Sequence, residues 1–216
     1  MVTKVEPAES ERAALLMQAL GNQYGRLQSA RGATIADSSS RTSLYLTSLT
    51  GAVVSLSFVA QASRFTETFF VFALVILPVV FFLGVITYYR VLQTGVEDVI
   101  YARAMSKIQQ YFGDIDPAHA DLFHASSVDQ VGLSSLGLFR LWWQQFLSSA
   151  AVVAIVNSVV AGAFIALVVA YLIDPPSWGS IGVGAVAALV IALSFLRHQW
   201  ATWMHVAKAL PMTVSR

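Results

Sequence analysis

Between Asp114 and His124 the chain sets five metal-ligating side chains within eleven residues: Asp114, Asp116, His119, Asp121 and His124. Carboxylate and imidazole groups at that density suit a divalent ion. The same stretch also has the marks of a helix start. Asp116 before Pro117 is an N-cap and N1 pair, and acids near a helix N-terminus are expected from its dipole alone. A solvated loop with one short helix accounts for all five residues, so neither a metal site nor a cofactor is assigned.

A second set lies in "TYYRVLQTGVEDVIYARAMSKIQQYF", Thr87 to Phe112. At about 100° per residue, Tyr101, Ala104, Met105, Ile108, Tyr111 and Phe112 share one face, with Arg103, Ser106, Lys107 and Gln110 opposite. Arg90 and Glu97 project on the apolar face, about two turns apart. Charges there are costly unless satisfied, so Arg90 and Glu97 form a structural or functional polar pair. In one reading Arg90 reaches the headgroups while Glu97 bonds a neighbouring helix. In the other the pair fixes helix register or responds to a ligand at the membrane surface. Asp98, rotated by about 100° from Glu97, joins the pair or faces water.

The third candidate is Asn157, a lone amide in an apolar stretch, which either bonds a neighbouring helix or lines a pore among several copies. No Asp, Glu, Lys, Arg or His occupies the middle of an apolar stretch, which argues against a proton-coupled transporter. Glycine-rich phosphate loops, H-E-x-x-H and G-x-S-x-G are all missing, and His198 or His205 beside serines is too common a combination to imply a hydrolase. The lack of cysteine removes thiol chemistry and disulfides. An enzyme is not expected.

The elements that carry these residues follow from composition. Of 216 residues, 56% are hydrophobic and only 12% charged, which points to a membrane rather than a soluble domain. Four stretches approach the ~20 residues needed to cross a bilayer: Leu44 to Ala60, Phe69 to Tyr89, Phe146 to Ile173 and Ile181 to Leu196. The first forty residues contain no long apolar run, so no cleavable signal is expected. Twelve of the 13 Lys and Arg residues lie before the first stretch, between the second and third, or after the fourth. Both termini are therefore expected in the cytoplasm. Trp142, Trp143, Trp178, Trp200 and Trp203 all fall at expected interfaces, as membrane anchors rather than nucleic-acid stacking platforms.

Small residues recur at i, i+4 as Ala150, Ala154, Ser158, Gly162, Ala166 and Ala170 in the third stretch. The fourth has Ser180, Gly184, Ala188 and Ala192, and the first has Ser43, Thr47, Gly51 and Ser55. Such seams allow close helix approach in lipid. The turn "DPPSWG" makes the last two stretches a hairpin with facing seams, leaving one seam for the other hairpin or a second copy. Pro78 marks a kink in the phenylalanine-rich second stretch. That stretch runs without a stop into the charged one, giving one helix of about 40 residues that Gly113 and "DIDP" terminate. At the front, "PAESERAALLMQALGNQYGRLQ" forms an amphipathic helix with Leu16, Ala19, Leu20, Gln23 and Leu27 on one face, and "ADSSSRTS" supplies N-caps for the first span.

The text "LPVVFFLGVITYYRVLQTGVEDVIYARAMSKIQQYF", with "IVNSVVAGAF", resembles a group of small bacterial, actinobacterial-type four-helix integral membrane proteins of unassigned function. The likeness covers Ser39 to Phe112 and Val152 to Phe164. It implies a bacterial cytoplasmic membrane and brings no catalytic residue, ligand or partner.

The expected architecture is an all-α polytopic membrane protein with four transmembrane helices, the second extended into the cytoplasm. Residues 1–42 form a cytoplasmic amphipathic helix and linker, 43–92 a first transmembrane hairpin, 93–140 a cytoplasmic helix extension and loop, 141–198 a second transmembrane hairpin and 199–216 a cytoplasmic tail. The expected function is non-enzymatic: a sensing, scaffold or interaction protein whose cytoplasmic element meets a protein or small signal. The alternative is an oligomeric pore or membrane-perturbing effector gated by that element. The bilayer is the expected partner, with self-association through the seams; nucleic acid is not.

Overall fold

A computed structural model describes residues 6–115, 149–173 and 177–209. They form four helices: α1 Glu6–Ser63, α2 Glu67–Ile115, α3 Ser149–Ile173 and α4 Ser177–Ala209. Each is long and apolar enough to cross a membrane.

α1 is one unbroken helix of 58 residues. This corrects the helix start expected at Ala36–Ser43, which lies inside it. Serine and threonine caps compete with a helix by bonding nearby backbone, yet the same hydroxyls can turn back onto the preceding turn. Thr42 Oγ1 donates to the Ser38 carbonyl at 2.9 Å, and Ser48 Oγ to that of Leu44 at 2.8 Å. No proline falls between Pro7 and Pro78 to force a stop. α2 runs for 49 residues through Pro78 and the charged stretch to Ile115, more than twice the ~20 that a span requires.

The connection between α1 and α2 is a Schellman-type turn. The Phe65 N–H donates to the Ala60 carbonyl, and Arg64 occupies the left-handed position usually given to glycine, at φ 49° with Phe65 at φ 60°. Thr66 accepts from the Phe69 N–H at 2.9 Å and opens α2.

The chain divides into two compact units, residues 1–36 with 97–140, and 37–96 with 141–216. In the first unit the opening of α1 and the close of α2 run antiparallel, joined by Arg31 to Asp98 and Gln109 to Tyr24. Met105 and Ile108 are buried while Ser106, Lys107 and Gln110 are exposed, as the projection has it; Tyr111 departs from it and is exposed. On α1 the inward line is Met17, Leu20, Tyr24, Leu27 and Thr34, rotated from the expected face so that Leu16, Ala19 and Gln23 point out.

In the second unit the interior mixes small and polar residues with aliphatic ones, Val80, Val91, Leu92 and Val160 among them. Ala52, Ala73, Ala150, Ala151, Val153, Ala154, Asn157, Ser158 and Gln199 are buried with Tyr45, Leu77 and Tyr88. The outside is large and apolar: Val71, Val75, Val79, Phe82 and Ile86 make one exposed stripe on α2 at helical spacing. The seams of α3 and α4 do face one another. A Cβ built on Gly162 would come within 2.5 Å of the Gly184 carbonyl oxygen and 2.7 Å of Ala188 Cβ, and one on Gly184 within 2.7 Å of Ala166 Cβ. The spare seam is that of α1, where Ser43, Thr47, Gly51 and Ser55 are all exposed.

Candidate functional site

Among the described residues of the second unit, two interhelical polar centres stand out. In the first, Tyr45 of α1 donates its hydroxyl to Asn157 Oδ1 of α3 at 3.2 Å. Tyr45 is 1% and Asn157 0% exposed. Gly84 of α2 closes the group, since a Cβ there would overlap the Asn157 side chain and lie 2.8 Å from the Tyr45 ring. Ser158 Oγ donates to its own helix at the Ala154 carbonyl, 2.7 Å. Asn157 Nδ2 is buried with no hydrogen-bond partner among the described residues, a cost usually avoided in protein interiors. Three helices thus converge on one amide, whose position is inside the unit. The first-span hydroxyls, by contrast, face outward, and those of Ser55 and Ser57 donate to the Gly51 and Val53 carbonyls at 2.8 Å.

The second centre joins α2 to α4. Tyr88, fully buried, donates its hydroxyl to the Phe195 carbonyl at 2.8 Å and lies 3.5 Å from His198 Nδ1. The Tyr88 ring packs edge-on against Phe195, and the exposed Tyr89 ring against His198 with centroids 5.3 Å apart. Two turns further on, Trp203 covers Gly95, where a Cβ would sit 3.6 Å from the indole. Arg90 lies on the exposed face and not the buried one: its Nη1 donates to Gln93 Oε1 at 3.1 Å. On α1, Arg41 Nε binds both carboxylate oxygens of Asp37, at 3.0 and 2.8 Å. That hydrogen bond holds the Asp37 carboxyl below its ordinary value, opposed by partial desolvation and helped by the charges of Arg41 and Arg90.

In the first unit Glu97 is half-buried. Its neighbour Asp98 accepts from Arg31 Nε at 2.7 Å, an ion pair with side chains 42% and 27% exposed for Arg31 and Asp98. Gln109 Nε2 donates to Tyr24 Oη at 3.0 Å. In the sequence Asp98 stands out only as a neighbour of Glu97, and Arg31, Tyr24, Tyr45 and Tyr88 do not stand out. Gly84 was the available signal for the core, a glycine in a phenylalanine-rich stretch that marks close approach. Of the five metal-ligand candidates, Asp114 is exposed near the end of α2, while Asp116, His119, Asp121 and His124 lie outside the described residues. Among the described residues no three acids or histidines gather around a point that could hold a metal ion.

The described residues thus form an all-helical arrangement of four helices suited to a membrane, with close small-residue contacts and interhelical ties of tyrosine, asparagine and backbone carbonyl. Comparison with protein families, characterised proteins and solved structures finds no match.

Proposed function

We propose that the chain is a multi-pass protein of a cytoplasmic membrane, with both termini inside, and that its first unit is a non-enzymatic interaction element for a cytoplasmic protein or small signal. The observation that supports this most is the pairing of the less apolar ends of α1 and α2 through Arg31–Asp98 and Tyr24–Gln109. Two helices that needed only to anchor a chain would have no use for those turns. The bias of Lys and Arg supports an inside location for that end. The apolar Leu16, Ile100 and Tyr111 remain exposed on it and are available to a partner.

The chain has no cysteine, so single introduced thiols report topology cleanly. Thr66→Cys in the α1–α2 turn should react with a membrane-impermeant maleimide in intact cells, and Ser106→Cys only after lysis. The reverse pattern rejects the orientation. A photocrosslinker at Leu16 or Tyr111 should trap a cytoplasmic partner; its failure to trap anything above background rejects the interaction role.

A second reading, an oligomeric pore, is favoured by one observation: the small and hydroxyl residues of α1, Ser43, Thr47, Gly51 and Ser55, face out. Ion flux in liposomes that is lost on Gly51→Leu would support it, and a flux-free monomer would reject it.

A further inference from the structure

Two outward stripes of the second unit end alike. On α2, Phe82, Ile86 and Arg90 succeed one another at i, i+4, and on α4 Leu189, Leu193 and Arg197 do the same; all six are exposed. The two helices run in the same direction, since Tyr88 meets Phe195 and Gly95 meets Trp203. Arg90 stands two residues past Tyr88 and Arg197 two past Phe195, so the guanidinium groups end their stripes at one level. Rotation of about 200° from the contacting tyrosine and phenylalanine turns both arginines away from the α2–α4 contact. They therefore mark separate outer faces at a common depth. Among the described residues neither arginine makes an ion pair; Arg90 Nη1 donates to Gln93 and its charge also acts on Asp37, which leaves its other N–H donors for a phosphate. Tyr89, His198 and Trp200, all exposed, lie beside them.

We propose that Arg90 and Arg197 are contact sites for anionic phospholipids of the inner leaflet, each taking a headgroup phosphate while the acyl chains lie along the apolar stripe above. The inference rests on the membrane placement proposed above. A planar guanidinium grips a phosphodiester through paired N–H donors, and aromatic rings beside it favour the headgroup layer. The apolar residues one and two turns along each stripe select a lipid over an acidic protein or a free phosphate. Arg41 differs in being held by Asp37.

The test uses full-length protein in detergent micelles, with phosphatidylglycerol, phosphatidylcholine or inorganic phosphate added and bound lipid counted by native mass spectrometry. Wild type should retain phosphatidylglycerol in preference to phosphatidylcholine, and millimolar phosphate should not displace it. Arg90→Gln with Arg197→Gln should weaken that preference by roughly tenfold or more while helicity stays unchanged. Equal retention of the two lipids by wild type, displacement by phosphate, or an undiminished preference in a folded double variant would each overturn the proposal. If the double variant does not fold, Arg90→Gln and Arg197→Gln are measured singly, and an undiminished preference in both folded single variants overturns the proposal. A chain that is not a membrane protein is recognised separately, because it would stay monodisperse with no detergent at all.

Discussion

The Tyr45 hydroxyl and the Asn157 amide oxygen meet at 3.2 Å across α1 and α3, with Gly84 of α2 leaving room for both. Interhelical hydrogen bonds in membrane bundles average about 0.6 kcal/mol and reach about 1.7. A double-mutant cycle with Tyr45→Phe and Asn157→Leu should therefore give a coupling of about 0.5–1.5 kcal/mol in detergent unfolding. No coupling would mean that the contact is geometric only. Gly84→Leu should be worse than either, since it displaces the asparagine itself.

The glycines of α3 and α4 should separate from that of α1 in a stability measurement. Gly162→Val drives side-chain atoms into the Gly184 carbonyl and Ala188, and overpacking of that kind costs about 1–3 kcal/mol. At Gly51 nothing lies within 4 Å of the added Cβ, so Gly51→Ala should be neutral or slightly stabilising in the isolated chain. Thermal unfolding of both variants in the same detergent checks the contrast.

Breaking the Arg31–Asp98 pair should loosen the first unit without disturbing the second. Both side chains are partly exposed, which limits the effect of Asp98→Asn to at most about 1 kcal/mol, and less at high salt. Hydrogen exchange should show faster opening around residues 24–34 and 98–109, with protection near Tyr45 and Asn157 unchanged. Exchanging the charges, Arg31→Asp with Asp98→Arg, should recover part of the loss.

Asp37 gives a pH dependence of known sign. Its folded pKa is depressed by Arg41 from an unfolded value near 3.8. The pair's contribution is therefore present above that value and lost as the pH falls below it. Acid titration of the wild type, with Asp37→Asn as reference, should show a small difference that fades as the pH falls from above the ordinary carboxylate value through the depressed one.

The α3–α4 contact was legible because its small residues repeat at i, i+4, a pattern that carries its own explanation. Arg90 was misplaced for a physical reason. In a helix suited to lipid, apolar residues such as Val79, Phe82 and Ile86 line the outside, whereas Ala73, Gly84 and Tyr88 line the inside, so an apolar projection does not distinguish core from surroundings. The Tyr45–Asn157 bond was out of reach because its partners stand 112 residues apart. The serines near Ser38 have the look of caps in the sequence because a hydroxyl that can end a helix can equally bond within one.

The exposed valine, leucine and phenylalanine side chains of the second unit also determine what could be changed. The affinity of the second unit for an apolar surrounding is carried by its exposed side chains. Replacing the outward stripe of α2 at Val71, Val75, Val79, Phe82 and Ile86 with glutamate and lysine, and its counterparts on the other helices likewise, would leave every interior contact described here in place. A water-soluble counterpart of this unit is therefore a problem of repainting its surface rather than redesigning its core.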